Sequence, residues 1–178
     1  MNKENRVILV DENDNEVGTE EKLKAHVEGM LHRAFSIFIL NDEGKLLLQQ
    51  RALGKYHSGG LWTNTVCSHP SPGETLEEAC KRRLIEEMGF TCPTHKVFSF
   101  LYKSPFENGL TEHEIDHVFV GHYNEAPQPV PEEVMDYKWI SFEDLHEDIK
   151  IHPEKYTTWF KIIMEGKTDF TFLTQKHV

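Results

Sequence analysis

With 178 residues, 38% hydrophobic and 28% charged, the chain is long enough to bury a sizeable core and too apolar to be disordered. A net charge of −11 argues against nucleic-acid and anionic-membrane partners, and no apolar run approaches the roughly 20 residues that a bilayer span needs. Met1-Asn2-Lys3-Glu4-Asn5 lacks a signal-peptide apolar stretch, and three cysteines make no disulfide framework, so free thiols in the cytoplasm are expected.

In chain order, Arg6 to Val10 reads as a strand followed by a turn at Asp11-Glu12-Asn13-Asp14-Asn15. Thr19 fits an N-cap, with Glu20 and Glu21 favourable in the first turn of a short helix. The apolar runs Ala34 to Leu40 and Lys45 to Gln50, joined by Asn41-Asp42-Glu43-Gly44, predict a β-hairpin, and Leu61 to Ser68 another extended segment. Thr75 and Glu78 form a capping-box pair at the head of a helix. Leu76, Cys80, Leu84 and Met88 give it one apolar stripe, and Gly89 ends it. Val97 to Lys103, Ile115 to Tyr123 and Tyr137 to Ser141 read as strands, and Glu154 to Glu165 as a second long helix. Without repeats or a linker, one domain over residues 1–178 is the simplest organisation, an α/β or α+β sandwich.

An anionic ligand on so acidic a chain needs a local basic patch, a divalent metal, or both. Residues 68 to 90 resemble the signature of the Nudix superfamily: Glu74, Arg82, Leu84, Glu86, Glu87 and Gly89 match in register, with Phe90 in the last apolar place. Ser68 stands where the signature has its first Gly, and Arg83 where it has the Glu after the Arg. Residues four apart on a helix share a face, so such a box can gather carboxylates toward a metal-bound diphosphate. A cation at position 83 repels metal and attracts phosphate. The resemblance therefore implies a Nudix-like fold, a mixed β-sheet flanked by helices, and a diphosphate ligand, while weakening a hydrolase reading.

Cys67 and His69 are two residues apart, as are Glu112 and Glu114, and that spacing places side chains on one face of a strand. Two such pairs on neighbouring segments could face one cavity. Joined by His26 and His32, they would make a mixed imidazole and carboxylate shell suited to Mn²⁺, Mg²⁺ or Zn²⁺. Trp62 and the run Thr63-Asn64-Thr65-Val66-Cys67-Ser68-His69-Pro70, with Glu112-His113-Glu114 and the stretch Glu133 to Trp139, closely resemble type I isopentenyl diphosphate isomerases.

That resemblance implies a metal-dependent, flavin-free conversion of isopentenyl to dimethylallyl diphosphate through a carbocation. It assigns His26, His32, His69, Glu112 and Glu114 to one metal, favouring Mn²⁺ or Mg²⁺. A second Mg²⁺ at the diphosphate would be held by Glu87 and the carbonyl of Cys67. Lys22, Arg51, Lys55 and Arg83 match the family's diphosphate-binding cations. Glu114, with Tyr102 bonded nearby, would deliver the first proton and Cys67 remove the second. Trp159 would stabilise the cation through its ring face. Taken alone, Tyr102 and Trp159 read as core aromatics, Cys80 and Cys92 as small buried hydrophobes. His57, His95, His113, His117, His122, His146, His152 and His177 read as surface or hydrogen-bonded residues. The rivals are a Nudix hydrolase acting on a nucleoside diphosphate derivative, which needs an intact Arg-Glu pair, and a non-enzymatic metabolite-binding module, which needs no coherent ligand set.

Overall fold

In the computed structural model, Asn5–Glu165 are described; Met1–Glu4 and His177 lie outside the described residues. The elements in order are β1 Arg6–Val10, β2 Glu16–Glu21, α1 Lys22–Glu28, β3 His32–Leu40, β4 Leu46–Arg51, β5 Trp62–Thr63, β6 Val66–Ser68, α2 Leu76–Met88, β7 Thr94–Pro105, β8 Thr111–His122, β9 Val134–Ile140, α3 Phe142–Ile151 and α4 Thr158–Glu165. No helix among the described residues is long and apolar enough to cross a membrane.

The run Ala34–Leu40 is apolar on both strand faces, and it becomes the buried centre of a mixed sheet. On one face Phe35, Ile37 and Ile39 of β3 pack with Ala79, Cys80, Leu84 and Met88 of α2. On the other, Phe38 and Leu40 pack with Leu145 and Ile149 of α3 and Phe160 and Ile163 of α4. The result is an α/β fold with helices on both faces of the sheet. Each fully buried Leu or Ile contributes about 1.5–3 kcal/mol, so α2 is anchored by its apolar stripe. The Thr75 capping box forms as read, and Gly89 takes the left-handed φ of 71° that ends α2.

Register carries the functional residues to one place. β3 and β8 run parallel, with His32 beside Glu114. β6 runs antiparallel to β3 on its other side, with Cys67 beside Ser36. The Cys67 and Glu114 segments therefore flank one strand rather than each other.

Four local readings change. Thr19 is a strand residue paired with Ile8, its hydroxyl accepting from Arg6, and α1 starts after Glu21. The β1–β2 hairpin prevails because its ladder satisfies the backbone over this whole segment. The turn after Leu40 forms, but β3 and β4 pair only at Leu40 and Leu46. They then splay, β3 toward β6 and β8 and β4 toward β9. The last helix begins at Thr158, because Pro153–Lys155 is a 3₁₀ turn and Tyr156 bridges to Trp62. Finally, Ser141 caps a helix, α3, that the sequence reading omitted.

Candidate active site

α1 delivers His26, the first residue of β3 is His32, and β8 carries Glu112 and Glu114, while His69 follows β6 directly. One ligating atom from each of His26, His32, His69 and Glu114 falls within 4.8 Å of the others. Glu114 Oε1 lies 2.9 Å from His69 Nε2 and 3.2 Å from His32 Nε2. Nδ1 of His26 sits 2.7 Å from the Lys22 carbonyl and Nδ1 of His32 2.8 Å from the Met30 carbonyl. Those carbonyls can only accept, so each Nδ1 carries the proton and each Nε2 presents a lone pair.

The His32 lone pair then faces a carboxylate oxygen, an arrangement that is repulsive unless a cation sits among them. Nε2 of His26 is buried with no hydrogen-bond partner. Burial pushes the His69 imidazole down to about 3 and lowers His26 as well, so neither supplies that cation by protonation. Burial works against charge on Glu114, and its carboxyl falls below the usual range only where His32 and His69 present protons to it; with lone pairs facing it, a bound cation has to take that part. Imidazole nitrogens gathered around a carboxylate, with His26 and His69 neutral, are a donor set that a divalent metal takes, and these residues fit one.

Cys67 borders the same small cavity, about 30 Å³, as His69, Glu112, Glu114 and Trp159. Its thiol donates to Asn64 Oδ1 at 3.0 Å, and its sulfur accepts from the Trp159 indole N–H at 2.8 Å. Burial, then the nearby Asp116, pushes this thiol up to about 12, so it is protonated at rest. The cavity is not purely apolar: Ser36, Arg51, His57 and Asp116 also line it. Cys80, as read, is a fully buried core residue.

A second, open cavity of about 510 Å³ adjoins the first, sharing Ser68 and His69. Lys22, Lys55, Arg82 and Arg83 line it. Burial, followed by repulsion from Lys55, Arg83 and Arg51, pushes the Lys22 ammonium down to about 8. Glu86, Glu132 and Glu133 also line the groove, yet Lys22 remains repelled by its neighbours, and an anion placed there would relieve it.

Several expected partners differ. Tyr102 bonds Glu112, not Glu114, because its hydroxyl reaches past its ladder partner Glu114 to the carboxylate two residue pairs along on the same face. Glu87 is buried and bonded by Arg83 and by Gln49 at 2.8 Å, and it does not join a described ligand group. Arg51 is not in the open groove; it lies in the inner cavity, its guanidinium 5.3 Å from the Trp159 ring centroid. His57, read as incidental, borders the inner cavity with Nε2 2.8 Å from Glu112 Oε1. Asp116 was missed altogether. It accepts from Ser36 at 2.7 Å, and burial beside Glu114 raises its carboxyl well above the usual range. The signal for it was the same period of two, since Glu112, Glu114 and Asp116 share one face of β8.

The NUDIX domain profile matches residues 30–160. Two proteins named isopentenyl-diphosphate Delta-isomerase 2 are similar to the chain. The one from Aromatoleum aromaticum is 50% identical, with 91% of this chain and 86% of that protein covered. The one from Photorhabdus laumondii is 52% identical, with 90% of each covered. Among solved structures, one from Deinococcus radiodurans superposes with a TM-score of 0.74 at 22% identity, covering 92% of this chain and 99% of that one. At that identity it speaks for the fold alone.

Proposed function

The chain belongs to the isopentenyl-diphosphate Delta-isomerase family of NUDIX-domain proteins, and from that premise we propose that it converts isopentenyl diphosphate to dimethylallyl diphosphate. The observation that carries the reading is Cys67 and Glu114 bordering one cavity beside a cation-lined groove.

The diphosphate lies in the groove against Lys22, Lys55 and Arg83, and the isoprenyl tail enters the inner cavity. That cavity holds only a water or two, so the tail requires its lining to open. His26, His32, His69 and Glu114, with Glu112 beside them, hold a divalent ion, Mn²⁺ or Mg²⁺, with Zn²⁺ also suited to the imidazoles. When bound, this ion tunes the acidity of Glu114. A second Mg²⁺ on Glu87 and the Cys67 carbonyl requires Arg83 to release Glu87 to the diphosphate complex.

Two groups on opposite sides of the substrate move the protons. Glu114 gives a proton to the terminal alkene carbon, a tertiary cation forms, and Cys67 takes a proton from the adjacent methylene. The resting charges run against this order, with the thiol protonated and Glu114 ionised, so the first step needs one net proton transfer from Cys67 to Glu114 through the cavity they share. Glu112 and Asp116 flank Glu114 on the same strand face. Nε1–H of Trp159 orients the sulfur, and its ring face stabilises the cation. No flavin, hydride or electron is involved, and the reaction belongs in the cytoplasm.

Incubation of the purified protein with Mg²⁺, Mn²⁺ and isopentenyl diphosphate tests this. Acid-labile dimethylallyl diphosphate is expected; release of phosphate, or turnover of a nucleoside diphosphate derivative instead, favours the hydrolase reading.

A further inference from the structure

We propose that His57, through Nε2, is an additional ligand of the metal ion held by His26, His32, His69 and Glu114. The proposal rests on the metal centre argued above and extends it to a residue the sequence gave no role. His57 lies in the segment between β4 and β5 and is 5% exposed. Its Nδ1 is 3.1 Å from Ser58 Oγ, a hydroxyl that can accept the ring proton. Its Nε2 is 2.8 Å from Glu112 Oε1 yet makes no aligned hydrogen bond, leaving a buried nitrogen without a partner. That is the pattern of His26, whose Nδ1 is bonded and whose Nε2 is bare.

The ligating atoms of His26, His57 and Glu112 lie within 4.8 Å of one another, a second group that overlaps the first at His26. His26 has only Nε2 to offer, since its Nδ1 is committed to the Lys22 carbonyl. One lone pair serves one ion, so an ion on His26 Nε2 is the one that both groups share. The ring is also held in place. It stacks on Phe106 with centroids 4.6 Å apart and meets Trp159 edge-on at 5.7 Å. The His57 carbonyl accepts from Arg51 at 3.2 Å. A ring fixed this firmly, with a bare nitrogen beside a carboxylate, has the preorganisation of a ligand. A fourth imidazole shifts the site's preference from Mg²⁺ toward softer divalent ions.

The test is Co²⁺ titration of the metal-free full chain, followed by visible absorption and equilibrium dialysis. His57→Phe keeps the ring that stacks on Phe106 while removing the nitrogens, and His57→Gln is the second variant should the first misfold by circular dichroism. Loss of the ligand is expected to shift the visible bands and weaken Co²⁺ binding about 10–100-fold, with a smaller change for Mg²⁺. An unchanged spectrum and affinity in a folded variant overturns the proposal, and His32→Ala losing Co²⁺ alongside shows that the metal centre itself stands. A loss that vanishes when Glu112→Gln is already present makes His57 only a support for Glu112, and also overturns it. Failure of the unsubstituted chain to bind Co²⁺ removes the centre and the proposal together.

Discussion

Two regions of this molecule gather ionisable side chains, and they differ in whether those groups already have partners. Along α2 and the turn before it, Glu74 is bonded by Arg82 at 2.7 Å, Glu86 by Arg83 at 2.6 Å, and Glu87 by Arg83. Around the start of β3, His26 Nε2, His57 Nε2 and Asp116 Oδ1 are buried with no hydrogen-bond partner. Buried polar groups are rarely left so, because each costs about 1–3 kcal/mol. On the helix with the more familiar metal-binding motif these carboxylates are already met by arginines, with Arg83 Nε the buried atom left over. The pocket with the less regular ligand spacing is the one that calls for a cation. Motif spacing marks the fold here, and unmet bonding capacity marks the chemistry.

The largest expected effect lies in the pocket. Cys67→Ala and Glu114→Gln should each lower turnover by about 10²–10⁴-fold, measured by product formation, while circular dichroism and the melting temperature change little. Leu84→Ala, under α2, should do the reverse: a cost of about 2–5 kcal/mol by urea unfolding, with the surviving folded fraction still active. A variant that damaged both properties equally would erase the distinction between the regions.

Arg83 is where they meet, since it bonds Glu87 and Glu133 and lines the groove. Arg83→Ala should raise KM more than it lowers kcat, with kcat/KM falling about tenfold, the scale of one charge-assisted contact. The smallest effect is a pH limb. Lys22 is charged below a pKa of about 8 and neutral above it, so kcat/KM should fall severalfold as pH rises through that value. Lys22→Arg, which stays charged, should flatten the limb.

The sequence made the site's residue types legible further than their partners. Cys67 with His69 and Glu112 with Glu114 follow from the strand period, which is local geometry. So does α2, whose cap, stripe and terminating glycine all lie within one short segment. What escaped depends on long-range register. Nothing local says that β3 would run parallel to β8, and that pairing sets His32 beside Glu114. The same holds for the β7–β8 pairing, which sets Tyr102 opposite Glu114 while its hydroxyl reaches along to Glu112. His57 was hidden because its neighbours, Phe106, Glu112 and Trp159, are all distant in the chain. Thr19 misled because a capping residue followed by acids is also compatible with a hairpin strand, and the tertiary ladder overrode the local preference.

The central claim is that a carboxylate and a thiol act on one substrate from two sides by exchanging protons with water. The most direct measurement is turnover of isopentenyl diphosphate in D₂O, with the product's deuterium placed by NMR. Deuterium in the newly formed methyl group, with no incorporation by Cys67→Ala or Glu114→Gln, is the result expected. Product formed without solvent deuterium would mean a direct hydrogen shift and would contradict it.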